Sequence, residues 1–175
     1  MWLGMGPRSV ATDLVPIFQQ CHERIRKFID LACKLGEVRD AEPEQVRDAA
    51  RAVSGYFAHA LPLHARDEED SVAPRLRGKS DELDRALARM SEEHSLHTEP
   101  LLELLSVCGH LAEKPELHSK LARTLTTTAL ALRSILGDHL EAEERIIFPA
   151  IEQHLSEAEQ AEILVEIRAR RAPPS

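Results

Sequence analysis

The feature that most constrains the fold of this chain is a polar motif that occurs twice in helix-favouring surroundings. The two copies are HARDEEDSVAP at residues 64–74 and HLEAEERIIFP at residues 139–149. Each copy begins with a histidine, has glutamates four and five residues later, and ends with a proline ten residues after the histidine. Because residues i and i+4 lie on the same face of an α-helix, the histidine and the first glutamate of each copy point in the same direction. The repeat therefore predicts two helices that each present an imidazole beside a carboxylate.

Helix-breaking residues and apolar spacing divide the chain into four long helical segments and a shorter fifth. The predicted segments run from Asp13 to Leu35 with a stop at Gly36, from Glu44 to Val72, from a cap at Ser80 or Asp81 to Leu111, from Pro115 to the residue before Pro149, and from Ser156 to Arg170. Ser156 and Glu159 have the spacing of a capping box at the start of the last segment. Pro62 and Pro100 fall inside the second and third segments, where each is expected to kink or break the helix.

Composition favours an all-helical fold. Aromatic residues make up only 3% of the chain, whereas leucine, alanine and glutamate are abundant, and this mixture favours helix over strand. A length of 175 residues suits one domain with a core of its own, or at most two small domains. We therefore predict an all-α fold, an antiparallel up-and-down four-helix bundle with a short C-terminal helix. The expected boundaries are an N-terminal extension at residues 1–12, the bundle at residues 13–171 and a tail at residues 172–175.

Each of the four long segments carries a histidine on its apolar stripe, and two of them add a glutamate on the same stripe. A single histidine in such a place is usually a core residue with one hydrogen bond. That explanation does not suffice for four such histidines together with two glutamates. Burying ionised carboxylates is costly unless a positive charge pairs with them, and no lysine or arginine lies on these stripes. A pair of metal ions supplies that charge. The candidate ligands are His22, His64, Glu68, His94, His139 and Glu143.

Other polar residues have a different expected place. Glu69 and Glu144 each follow a stripe glutamate by one residue and should point about 100° away from it, so we interpret them as partners of the ligands rather than ligands. The histidines off the stripes or near helix ends are predicted to lie at the surface: His59, His110, His118 and His154. The cysteines show no C-x-x-C spacing and are predicted to be reduced packing residues: Cys21, Cys33 and Cys108.

Ligand chemistry and net charge narrow the class of function. A set of imidazoles and carboxylates without thiolate suits iron or manganese and disfavours a structural zinc site. The formal net charge of −8 disfavours a nucleic-acid partner. No apolar run approaches the roughly 20 residues that a membrane-spanning helix needs, and residues 1–10 lack the pattern of a secretion signal. We expect a cytoplasmic protein with no nucleic-acid or membrane partner, and the sequence indicates no oligomeric state.

The two motifs, together with the closing segment LSEAEQAEILVEIRAR, resemble the hemerythrin family in its HHE cation-binding form over about residues 10–170. The resemblance implies a four-helix bundle that holds two non-haem iron ions with a bridging oxo or hydroxo group, manganese or zinc being the expected substitutes. Carried over residue by residue, it implies one ligand from the first helix, two from the second, one from the third and two from the fourth. These are His22, then His64 and Glu68, then His94, then His139 and Glu143, with both glutamates bridging the irons.

One position departs from the pattern of the oxygen-carrying members of that family. Those members have a fifth histidine one turn after the first on the third helix, but here the i+4 position is Thr98, and His97 lies at i+3. Four histidines, two bridging glutamates and a solvent bridge leave each six-coordinate iron with one exchangeable position. We expect His97 to be at most a weak or conditional ligand, which favours sensing of oxygen, nitric oxide or redox state, iron handling or peroxide chemistry over reversible oxygen carriage.

The resemblance leaves several functions open. The first is a di-iron binding protein whose small diatomic ligand is oxygen or nitric oxide, and the second is an oxidase, a peroxidase-like enzyme or an enzyme that repairs iron centres. Repair occurs in relatives with a cysteine-bearing N-terminal segment, and the residues before Asp13 contain no cysteine. The third is an interaction module with a degenerate site, against which the complete ligand set argues. Reversible oxygen binding becomes the leading interpretation if His97 is a ligand.

Overall fold

The computed structural model describes residues 14–172, and every regular element in them is helical. The α-helices are α1 (Leu14–Glu37), α2 (Pro43–Asp67), α3 (Ala73–Leu76), α4 (Asp81–Leu96), α5 (Thr98–Glu113), α6 (His118–Ala142), α7 (Phe148–His154) and α8 (Glu157–Arg170). A single turn of π-helix, Glu68–Val72, joins α2 to α3, and another, Glu143–Ile147, joins α6 to α7. We call these two segments the first and the second π-turn. The predicted all-α class is confirmed, and within these residues no helix combines the length and apolar character that crossing a bilayer requires.

Three predicted features fall wholly or partly outside residues 14–172. The N-terminal extension at residues 1–12 and the helix start at Asp13 lie outside them. The same holds for residues 173–175 of the predicted tail. The domain boundaries therefore stay a prediction.

The long helices α1, α2, α5 and α6 pack in a ring. Helix α1 contacts α2 and α6, and α5 contacts the same two helices from the other side. Helix α4 precedes α5 and contacts the second π-turn. This packing places the two repeated motifs, which begin near the ends of α2 and α6, in the same interior.

Buried apolar side chains form two clusters that lie on either side of a polar layer. We name them the Phe18 cluster, which also includes Ile147, and the Ile25 cluster, which also includes Leu136. Along α1 the buried His22 lies between Phe18 and Ile25, one helical turn from each. The same alternation along the other helices brings the stripe histidines to one level of the bundle.

Proline has different effects in two helices. Helix α4 ends at Leu96 and α5 begins at Thr98, with His97 between them, so the break predicted near Pro100 occurs. Pro100 has no N–H to donate to the carbonyl of Leu96, which explains a break at this place. Helix α2 continues from Pro43 through Pro62 to Asp67, so Pro62 does not end its helix.

The prediction that His118 lies at the surface is wrong. Its side chain is buried, and its Nε2 lies 2.6 Å from the carbonyl oxygen of Leu35 near the end of α1. The last carbonyls of a helix have no partner within the helix, so an imidazole N–H donating to one of them ties the start of α6 to the end of α1. His59 and His110 are exposed as predicted, and His154 is half-buried.

Gly36 does not end its helix, because α1 continues to Glu37. A Cβ atom at this position would lie 2.9 Å from the backbone nitrogen of Thr126 in α6 and closer still to its hydroxyl. The glycine therefore permits a close approach of α1 and α6, which is a packing role that the sequence pattern did not indicate.

We predict that Gly36→Ala lowers the free energy of unfolding by about 1–3 kcal/mol, because backbone atoms of α6 must move to admit the methyl group. Gly55→Ala is the matched control. Gly55 is exposed within α2 and has nothing within 4 Å of its Cβ position, so alanine there should raise the free energy of unfolding by about 0.5–1 kcal/mol. Urea denaturation of both variants measures the contrast, and the same sign in both would contradict the close-approach role.

Candidate metal centre

The structure brings all six candidate ligands together in two overlapping groups. In each group the ligand atoms lie within 4.8 Å of one another. We call these two groups the first and the second position. The first position comprises His22, His64, Glu68 and Glu143, and the second comprises Glu68, His94, His139 and Glu143. The two glutamates belong to both positions, which is the arrangement expected of bridging ligands.

Each shared glutamate directs one oxygen to each position. Glu68 Oε1 lies 3.4 Å from His64 Nε2, and its Oε2 lies 3.3 Å from His94 Nε2. Glu143 Oε2 lies 3.2 Å from His22 Nε2, and its Oε1 lies 3.1 Å from His139 Nε2. Both positions therefore have two imidazole nitrogens and two carboxylate oxygens.

These inner atoms are buried without hydrogen bonds. Both oxygens of Glu68 and of Glu143, and Nε2 of His22, His64 and His94, have no partner with hydrogen-bond geometry. Within residues 14–172 the two carboxylates pair with histidines alone and with no lysine or arginine. A buried polar group without a partner costs about 1–3 kcal/mol, and a buried charge costs more. Nitrogen and oxygen donors that converge in this way fit divalent or trivalent iron and similar cations.

The glutamates occupy equivalent places in the backbone, because each opens a π-turn. The N–H of Ala73 donates to the carbonyl of Glu68, and the N–H of Phe148 donates to the carbonyl of Glu143. The residues that follow Ala73 and Phe148 are Pro74 and Pro149, and proline has no N–H with which to resume the regular α-helical hydrogen bonds. π-turns within α-helices are frequent at functional sites. Apolar spacing predicts regular helix at both places, and the structure differs there. The equal spacing of Pro74 and Pro149 from the histidines is a sequence signal of this irregularity.

Carboxylates outside the two positions, which we call the outer carboxylates, form hydrogen bonds with three of the four histidine rings. Glu144 Oε1 lies 2.8 Å from His22 Nδ1, Glu69 Oε1 lies 2.9 Å from His94 Nδ1, and Glu93 Oε2 lies 2.9 Å from His139 Nδ1. With Nδ1–H donating outward, the lone pair of Nε2 faces the centre, as a metal ligand requires. His64 differs, because its buried Nδ1 has no partner.

Glu69 and Glu144 are partners of the candidate ligands, as their positions in the sequence predict, whereas the spacing does not predict this role for Glu93. This residue immediately precedes His94 in the chain, yet it contacts a histidine on a different helix. Sequence position alone gave no indication of that contact.

Burial sets the protonation of the inner groups. It lowers the pKa of His64 to about 3, so this imidazole is neutral at physiological pH and its lone pair is available. Burial also raises the pKa of Glu68, as does the charge of Glu143. Burial acts in the same direction on Glu143, but the imidazoles of His139 and His22 outweigh it and hold its pKa below the ordinary value. Two carboxylates this close favour sharing a proton unless a cation replaces it.

A cavity of about 170 Å³ adjoins the second position. Four imidazoles line one part of it, and the rest is mainly apolar: His64, His94, His97 and His139 face it together with Leu61, Leu101, Leu136 and Leu140. His97 is buried, with 4% of its surface exposed, and its Nε2 has no hydrogen-bond partner. Its ring centroid lies 4.8 Å from that of His139, but it belongs to neither ligand group. Burial and the neighbouring His139 lower the pKa of His97 to about 4, so its ring is neutral.

Helix α8 anchors the first π-turn. Arg170 donates to Asp67 at 2.8 Å and also to the hydroxyl of Ser71, while Arg171 donates to the other oxygen of Asp67. Asp67 immediately precedes Glu68 and is itself buried. The predicted capping box of Ser156 and Glu159 starts α8 and is confirmed. The sequence pattern does not predict this contact of α8 with the first π-turn.

Comparison with known proteins gives one match. The sequence model of the hemerythrin HHE cation-binding domain matches residues 13–151, which include all six candidate ligands. No curated protein and no solved structure gives a significant match to the chain. A match that covers most of the chain, with the candidate ligands inside it, establishes the family. The chain therefore belongs to the hemerythrin HHE cation-binding domain family.

Proposed function

We propose that this protein binds two iron ions at the paired positions and uses the adjoining cavity to bind a small diatomic ligand, oxygen or nitric oxide. The observation that carries the proposal is the set of buried carboxylate oxygens and imidazole nitrogens that converge without hydrogen bonds. Membership of the family supports metal binding, with iron as its usual metal. We further propose that the host is an antiparallel up-and-down four-helix bundle and that the protein acts in the cytoplasm as a sensor or in iron handling.

The residues around the two positions suit small-ligand binding. Bound iron supplies one-electron redox chemistry and exchangeable coordination sites. The leucines give the cavity a mainly apolar wall, and the neutral His97 presents a buried nitrogen to the same space. Glu69, Glu93 and Glu144 hold the rings of His94, His139 and His22, which fixes the direction of their Nε2 atoms.

The size of the cavity favours a second candidate function. A space of about 170 Å³ is larger than a diatomic molecule needs, since an apolar cavity of about 150 Å³ admits benzene. A di-iron enzyme of oxidase or peroxidase type, acting on a small organic peroxide, fits this volume. Turnover of peroxide by the iron-loaded protein separates the enzyme from the sensor.

We predict two iron ions per chain after anaerobic reconstitution and an oxo-bridged di-iron absorption spectrum after exposure to air. The physical reason is that the two positions share both carboxylates, so the negative charge of the carboxylates is neutralised best when each position holds an ion. Elemental analysis and visible spectroscopy measure the result. Glu143→Ala should lose at least one ion, and Glu141→Ala, at an exposed residue of α6 two positions earlier, should keep both. One ion or none in the wild-type protein would contradict the binuclear proposal.

We predict that bound metal raises the melting temperature. Ligand that binds only the folded state adds about 2.7 kcal/mol at a hundred times its dissociation constant, and here it also satisfies buried carboxylates. Differential scanning calorimetry of the iron-loaded and metal-free proteins measures the shift. Glu68→Ala should remove most of the difference, whereas Glu103→Ala, at an exposed place in α5, should preserve it. Equal melting temperatures with and without iron would refute this prediction.

We predict that His97→Ala keeps both metal ions and that His94→Ala loses at least one. His97 belongs to neither ligand group, whereas the Nε2 of His94 lies 3.3 Å from Glu68 Oε2 in the second position. Elemental analysis of the two variants, each reconstituted in the same way, provides the comparison. Equal metal loss in the two variants would identify His97 as a ligand and would make reversible oxygen binding the leading proposal for the function.

A further inference from the structure

We propose that Glu69 and Glu93 make the second position bind metal more tightly than the first, so that the first ion to arrive enters between His94 and His139. This inference rests on the proposed function and deepens it, because it assigns an order of loading. The inner donor atoms do not predict different metal affinities for the two positions, because each position has two imidazole nitrogens and one oxygen from each shared glutamate. The difference lies in the outer partners of the imidazoles.

The outer partners are unequally distributed. Both histidines of the second position donate Nδ1–H to a carboxylate, His94 to Glu69 and His139 to Glu93. In the first position only His22 does so, to Glu144. The Nδ1 of His64 is buried and has no partner.

Neighbouring arginines increase this inequality. Glu144 accepts from His22 and from Arg26 through the same oxygen, Oε1, at 2.8 Å in each case, so the arginine competes for the charge that the imidazole uses. Glu93 separates the two roles, with Oε1 on Arg89 and Oε2 on His139. Among residues 14–172, Glu69 makes an ion pair with His94 alone.

The physical effect of an outer carboxylate on a ligand histidine is twofold. It fixes the orientation of the ring, and it increases the electron density on the inner nitrogen, which strengthens the bond to a cation. Loss of such a partner typically costs about 10- to 100-fold in metal affinity. Two full partners at the second position against one shared partner at the first therefore predict separate binding steps.

The tighter position is also the one beside the cavity. The cavity walls include both histidines of the second position but only His64 of the first. A protein that has taken up a single ion therefore holds it next to the space for a small ligand.

The test is a stepwise titration of the metal-free protein with Fe²⁺ under anaerobic conditions, in competition with a chromophoric chelator. The wild type should show two steps. Glu93→Gln and Glu69→Gln should weaken the tighter step by about 10- to 100-fold, and Glu144→Gln should weaken the looser step. Glutamine preserves shape, and Glu92→Gln, an exposed neighbour of Glu93, is the matched control that should change neither step.

A second pair of variants identifies the positions directly. His22→Ala should leave one tight site and His139→Ala one loose site. The order of loading is overturned if Glu144→Gln weakens the tighter step, if all three glutamine variants weaken the same step, or if none differs from Glu92→Gln. A wild type that binds one ion, lost in His139→Ala but kept in His22→Ala, would refute the binuclear proposal and support the order, whereas binding of no ion would refute both.

Discussion

The burial of two carboxylates within one polar layer is the constraint on which the rest of the structure depends. Glu68 and Glu143 lie among four imidazoles, and the Phe18 cluster and the Ile25 cluster close the layer on either side. Apolar packing supplies the free energy that keeps the helices together, so the donors stay convergent although their mutual arrangement is unfavourable without a cation. The layer is therefore preorganised for metal by packing that lies outside it.

Charge alternates outward from this layer. The inner carboxylates face imidazoles, three imidazoles face outer carboxylates, and two of those carboxylates face arginines at the surface, Arg26 for Glu144 and Arg89 for Glu93. Each outer contact also crosses between helices: Glu69 contacts α4, Glu93 contacts α6, and Glu144 contacts α1. The same hydrogen bonds thus select the tautomer of each of these three rings and join the helices that carry the candidate ligands. His64 has no such partner, and its ring instead packs against Phe18 and His22 of α1.

The sequence predicted what depends on local periodicity and missed what depends on contacts between distant residues. Helix existence, the six convergent residues and the capping box at Ser156 all follow from spacing within one helix. On α6 the structure buries Leu136, at 1% exposure, and leaves Ile135 at 37%. Steps of three and of four from Leu132 are equally helical, so periodicity alone does not choose between them. The contact of Glu93 with His139 joins two helices, and the π-turns depend on how the backbone accommodates Pro74 and Pro149.

The support of the centre extends beyond the part of the chain that matches the family. The match ends at residue 151, whereas α8 runs from Glu157 to Arg170. Through Arg170 and the following Arg171, this helix neutralises the buried Asp67, the residue next to Glu68. These ion pairs compensate a carboxylate that would otherwise be buried without a partner, so the backbone at the start of the first π-turn is held by a helix that contributes no candidate ligand. No equivalent arginine pair holds the residue before Glu143, which is Ala142. The two copies of the motif therefore present similar carboxylates on unequal supports, and the position of Glu68 depends on the packing of α8 in a way that the position of Glu143 does not.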